Sequence, residues 1–283
     1  MAARTETGRP SSESFLVAFH RAHPGCTSEA FARGRIDGGG SSYHLLADVV
    51  PAAPGGARVL DLGCGDGHLL ELLTARGLPP SALAGIDLSG EELDRGRARR
   101  ALSASALVQC RAQELPFAAG SFHAVLSHLA FMLMDDIEEV VEEVVRVLAP
   151  EGTFATVVGG GPKVGDSFEL FLDLLAPIRR RVGSPTPRLG DRRCLREEGL
   201  HELLGRAAGF EGPPRIDDFA VDLRGTADAV WRTLSTIYEM HELPADARAE
   251  LHGRFVPAAL ALSDDGVTVP CSMFVRRVVA TRR

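Results

Sequence analysis

The sequence predicts an α/β protein with a mostly parallel sheet and helices on both faces. Three observations carry this. Between residues 56 and 160, short apolar strands alternate with helical stretches. The first strand runs straight into a glycine-dense turn, Val59-Leu60-Asp61-Leu62-Gly63-Cys64-Gly65-Asp66-Gly67, with a helix behind it. The second, Leu83 to Leu88, ends in another carboxylate, Asp87, one strand-helix-strand repeat further on.

Element by element, residues 1–12 are polar and read as a disordered tail. Residues 13–55 form an N-terminal helical extension. It holds helical stretches at Ser14–His23, near Ser28–Arg33 and at Ser41–Val50, with a glycine turn at Asp37-Gly38-Gly39-Gly40. From residue 56 to 283 runs the main domain. Ser89-Gly90-Glu91-Glu92 opens a helix as a reciprocal capping box, and Asp135-Asp136-Ile137-Glu138 is a second one. The helix after it places Val140, Val141, Val144, Val145 and Leu148 inward. Strands are expected at Leu107–Arg111, Ala124–Ser127 and Thr153–Val158. Residues 161–213 read as an insertion on the substrate side, with a helix Ser167–Arg181 interrupted at Pro177 and an arginine-rich loop through Arg193. Helix Glu197–Leu204, strand-like Arg215–Leu223, a helix Ala227–Met240 capped by Thr226, a helix Ala245–Leu262 and a strand Cys271–Val275 complete the chain.

The glycine turn and the two carboxylates make a ligand site. Glycine reaches backbone angles closed to other residues and lets a ligand approach the main chain. The first amides of the following helix point back over the strand ends. A carboxylate at the tip of the second strand can accept hydrogen bonds from both hydroxyls of a ribose; its plainer reading is a surface residue at a strand end.

The spacing G-x-G-x-G after Asp61 resembles motif I of class I S-adenosylmethionine (SAM)-dependent methyltransferases. Leu115-Pro116-Phe117 with Gly120-Ser121-Phe122, then Arg146-Val147-Leu148-Ala149-Pro150-Glu151-Gly152, is similar to the ubiquinone-type, small-molecule branch of that family, and the likeness covers about residues 40 to 283. It implies a Rossmann-like, mostly parallel seven-stranded sheet, SAM as cofactor and S-adenosylhomocysteine as product. By the same resemblance Asp61, Gly63, Cys64 and Gly65 hold the methionine part, Asp87 and Leu88 the ribose and adenine edge, and Ala112 and Gln113 flank the adenine. Ser127, His128 and Leu129 line the passage where donor meets acceptor. The sequence departs from the family at Arg111 and His123, where relatives often carry Asp. Arginine is a pure donor and cannot accept from an adenine amino group.

Methyl transfer asks little of side chains beyond alignment and exclusion of water. An oxygen acceptor also calls for a base near neutrality, which makes His128 the catalytic candidate. Tyr43, at the start of the pre-core helix, could fold over the ligand. Both residue types are equally at home as packing or hydrogen-bonding groups. The expected activity is methyl transfer to a small-molecule acceptor in specialised metabolism. The alternative is the same fold repurposed for cyclisation or elimination with a partner protein, and Arg111 keeps it open.

Composition sets the outer bounds. A net charge of −7 argues against a phosphate-tracking nucleic-acid binder. No apolar run approaches the roughly 20 residues of a membrane helix, and the first residues lack an apolar secretory core, so a cytoplasmic location is expected. Cys26, Cys64, Cys110, Cys194 and Cys271 form no C-x-x-C pair, so no metal site is expected. Oligomeric state and a partner protein stay open.

Overall fold

A computed structural model of the chain describes residues 12–51, 56–184 and 187–283. The tail expected at 1–12 lies outside them except for Ser12. In chain order the extension gives α1 (Ser12–Ala22), α2 (Cys26–Phe31), β1 (Arg35–Ile36) and α3 (His44–Ala47). The repeat follows as β2 (Val59–Leu62), α4 (His68–Ala75), β3 (Leu83–Asp87), α5 (Gly90–Ala98), β4 (Ala106–Gln109), β5 (Phe122–His128), α6 (Ile137–Val147) and β6 (Leu148–Pro162). The remainder is α7 (Ser167–Val182), α8 (Glu197–Leu203), β7 (Arg215–Asp222), α9 (Ala227–Leu234), α10 (Ala245–Leu260) and β8 (Ser272–Thr281).

The sheet order is β1-β7-β8-β6-β5-β2-β3-β4. Strands β4, β3, β2, β5 and β6 are parallel, and β8 runs antiparallel between β6 and β7. The sheet therefore has eight strands, not the expected seven. The extra one is the two-residue β1, which the extension lays antiparallel on the edge of β7. A pairing that short leaves no period to read in a sequence.

Strand parity sorts the core into two faces. Leu60, Leu62, Val125 and Phe154 pack with α6 and α8 on one side, while Val59, Ala124, Leu126 and Ala155 pack with α3 and α4 on the other. On α6, Ile137, Val140, Val141, Val144 and Val147 are buried at helical spacing. A third core lies off the sheet, where Phe171, Leu175 and Ile178 of α7 meet Val230 and Leu234 of α9 and Leu251 and Phe255 of α10. The expected insertion is thus split: α7 joins α9 and α10, whereas α8 packs on the sheet through Leu200 and Leu203.

Three local expectations change. Helix α7 continues through Pro177, because one missing N–H is outweighed by packing such as Phe171 on Phe255 (5.4 Å between ring centroids). The box at Asp135–Glu138 does not form: Asp136 sits at φ 50° and makes no side-chain cap, and Glu138 pairs with Arg193 at 2.6 Å. The box at Ser89 forms by half. Its hydroxyl accepts from the Glu92 amide at 3.2 Å, but the Glu92 carboxylate goes elsewhere.

Candidate active site

The carboxyl ends of β2, β3 and β5 open into a crevice roofed by α1 and α2, and two adjoining cavities occupy it. The outer one, about 620 Å³, is lined by Asp87, Leu88, Ala112, Gln113 and Leu133 from the sheet side and by Leu16 from α1. The inner one, about 510 Å³, is lined by Asp61, Gly65, Tyr43, His128, Glu92 and Tyr238. Gly63 belongs to both. It sits at φ 74°, and a Cβ there would lie 2.4 Å from that of Ala130, so glycine is required.

Four carboxylates face the inner cavity, and three are compensated. Asp87 accepts from the Gly65 amide at 2.8 Å and the Ser89 amide at 2.9 Å. Burial raises its pKa, and those two amides pull it back. Asp66 pairs with Arg99 at 2.5 Å and accepts from the Ser28 hydroxyl at 2.8 Å. Glu92 accepts from the Gly25 amide at 2.9 Å and meets His20 Nδ1 at 2.9 Å. Asp61 differs. It is 2% exposed, and among the described residues its Oδ1 has no hydrogen-bond partner. Burial, then Asp87 and Asp66, raises its carboxyl well above the ordinary value.

The other candidates divide. Leu88, Ala112 and Gln113 share the outer cavity with Asp87. Gln113 donates to the Asp135 carbonyl at 2.6 Å, which fixes the amide with its oxygen still available. Cys64 is buried on the inner wall, its thiol raised by burial and close under Gly85, whose missing Cβ makes room for it. Ser127 lines neither cavity. Alternation along β5 turns it away from His128, and its hydroxyl is spent on the Leu62 carbonyl (2.8 Å) and the Phe131 amide (3.1 Å). His128 does reach the inner wall, where Ser42 Oγ meets its Nε2 at 2.9 Å. Burial, then His68, lowers its pKa to about 3, so the near-neutral base expected there is not what the fold builds. Tyr43 is not an exposed helix residue: it is buried and stacks on His128 at 3.7 Å.

Both departures from the family pattern find places outside the cavities. Arg111 reaches outward to Glu13 at 2.7 Å and Asp136 at 3.5 Å. His123 accepts from the Arg58 amide at 3.0 Å at the start of β5, the end remote from the crevice. Residues that the sequence hid are Glu92, read as a cap, and Tyr238, which sits on the inner wall in edge contact with Phe19 (4.6 Å). The pairing of α1 and α2 with α5 gives Glu92 its partners, contact with Phe15 and Phe19 of α1 places Tyr238, and no local pattern signals either.

Comparison with known proteins bears on the fold and the family. Residues 60–156 match the family model described as a methyltransferase domain. The chain carries a class I methyltransferase domain. Over 185 residues it is 37% identical to a malonyl-[acyl-carrier protein] O-methyltransferase of Enterobacter lignolyticus, covering 65% of this chain and 66% of that one. It is also 37% identical over 112 residues to a fatty-acid O-methyltransferase of Mycolicibacterium smegmatis, covering 40% of each. The alignments thus span just under two thirds of one relative and two fifths of the other. In three dimensions the methyltransferase domain and its flanks superpose on phosphoethanolamine N-methyltransferase 2 of Haemonchus contortus with a TM-score of 0.57, at 17% identity, over 97% of this chain and 60% of that one. Among the described residues no helix is long and apolar enough to cross a membrane.

Proposed function

We propose that the protein transfers a methyl group from SAM to a small-molecule acceptor of specialised metabolism. The observation that carries this is Asp61: a buried, uncompensated carboxylate beside a glycine turn, one strand away from an amide-anchored Asp87. SAM fits that arrangement, since it brings an ammonium, a sulfonium and a ribose diol on one molecule. Asp61 would take the ammonium and Asp87 the two ribose hydroxyls. Leu88, Ala112 and Leu133 would enclose the adenine, with the Gln113 oxygen accepting from its amino group.

When bound, SAM supplies an already activated methyl group, so the chain's own work is to align and to exclude water. The roof formed by α1 and α2 does the excluding. His128 and Tyr43, stacked and buried, hold the wall beside the transfer point; a histidine so depressed is a positioning group, not a proton acceptor at neutral pH. Relatives named for malonyl-carrier and fatty-acid O-methylation support a small acceptor. The repurposed-fold reading rested on Arg111, and that side chain is engaged outside the cavities. Calorimetric titration with S-adenosylhomocysteine tests the proposal. Micromolar binding by the native chain, weakened at least tenfold in Asp87→Ala, is expected, because hydrogen bonds to a charged group contribute about 1.5–3 kcal/mol. A folded protein that binds neither SAM nor S-adenosylhomocysteine would contradict it.

A further inference from the structure

A further cavity adjoins the inner one. Thr27, Leu129 and Tyr238 are shared between the inner cavity and this third one, of about 840 Å³. That chamber lies among α2, α7, α9 and β8, and its walls include Phe31, Met132, Phe168, Leu234, Ile237 and Met273. Among the described residues that line it, Glu239 alone is charged.

The far end of the chamber changes character. Across Cys26, Ala30, Thr233 and Thr236, which line both, it adjoins a polar mouth of about 800 Å³ bearing Arg33, Arg224 and Arg232. Two carboxylates also stand there, and each has a partner: Asp222 holds Arg224 at 2.5 Å, and Glu29 holds Arg95 at 3.1 Å. No carboxylate among the described residues pairs with Arg33 or Arg232. The mouth therefore carries two uncompensated guanidinium groups on the rim of an apolar chamber whose inner end meets the donor cavity. Planar, weakly hydrated guanidinium is suited to carboxylate and phosphate.

We infer that the acceptor is an amphiphile. Its nucleophilic end reaches past Tyr238 toward the donor, its apolar body fills the chamber, and an anionic group rests on Arg33 and Arg232. This rests on the methyltransferase reading, and it adds what that reading leaves open, the chemical class of the acceptor. A polar acceptor such as a sugar would leave the chamber walls unsatisfied, and a neutral hydrocarbon would leave the arginines without a ligand.

The test uses the full chain and four probes: S-adenosylhomocysteine, decyl phosphate, decanoate and 1-decanol, each titrated separately below its aggregation limit. The inference expects one or both anionic probes to bind at least tenfold more tightly than decanol, and the better of the two identifies the anion. In Arg33→Ala/Arg232→Ala that preference falls to parity while decanol and S-adenosylhomocysteine bind as before. Ala30→Phe or Thr233→Phe, which fill the chamber, weaken all three alkyl probes at least tenfold and leave S-adenosylhomocysteine binding in place. Equal binding of charged and neutral probes by the native chain would overturn the inference, as would indifference of the alkyl probes to both filling variants. Failure of S-adenosylhomocysteine alone overturns the donor site instead, so the two readings fall to different arms.

Discussion

At the scale of single residues the crevice is arranged at the expense of the unliganded protein. Asp61 is the clearest case: among the described residues its buried carboxylate keeps one oxygen without a partner, and on the proposed reading the ammonium of the ligand meets it. Asp61→Asn is expected to stabilise the unliganded chain by on the order of 1 kcal/mol, a rise in Tm of roughly 2–4 °C. The same substitution should weaken S-adenosylhomocysteine binding about tenfold or more. Thermal melts with and without ligand check both halves, and a lower Tm in the unliganded variant would count against this role. His128 gives a pH signature. Its folded pKa of about 3 lies below the ordinary 6.5, so the unfolded chain binds the extra proton first as pH falls. Its contribution is whole above pH 6.5 and declines toward pH 3, by up to about 1.4 kcal/mol per pH unit. Asp61 trends the other way, because its raised pKa favours the folded state at low pH. The difference between native and His128→Gln isolates the histidine: urea midpoints between pH 6.5 and 4.5 should fall less steeply in the variant.

At the scale of elements, a diverted capping residue pins the joint of the roof over the crevice. Glu92 sits on α5 but bonds the Gly25 amide and His20, at the joint between α1 and α2. Exposed pairs (Arg21 with Glu91 and Arg95 with Glu29) add little by comparison. Glu92→Ala leaves the buried Gly25 donor unmet, at a cost of about 1–3 kcal/mol. Hydrogen exchange should then speed up across α1 and α2 while β5 and β6 keep their protection; uniform acceleration through the sheet would show that Glu92 supports the whole fold instead. This is also where sequence reading stops. The strands β2 and β3 were legible because their runs are apolar and their ends carry glycine or acid, and β5 as an apolar run after the Gly120-Ser121 turn. Strand ends and the glycine turn pointed to Asp61, Gly63 and Asp87, and the family resemblance supplied the roles expected of them. Glu92 was legible only as a cap, Pro177 only as a breaker and Ser127 only as a neighbour of His128. Each of those outcomes depends on a partner far away in sequence: the α2 joint, the α10 packing face and the carbonyl of Leu62.

At the scale of the whole molecule, two parts divide the work. The parallel sheet with α3 to α6 builds the crevice proposed for the donor, and the helical cluster of α7, α9 and α10 packs beside it. The N-terminal segment joins them, since α1 covers the crevice and packs Phe15 and Phe19 against Tyr238. The cavity proposed for the donor, the chamber and the cationic mouth adjoin one another, with Tyr238 on the wall common to the first two. The central claim is that this crevice holds SAM, and a crystal structure of the complex with S-adenosylhomocysteine tests it most directly. The ribose hydroxyls should lie on the Asp87 carboxylate, the amino group of the homocysteine part beside Asp61, and the adenine between Leu88 and Leu133. A ligand bound elsewhere, or bound there with its ribose turned away from Asp87, would contradict the account.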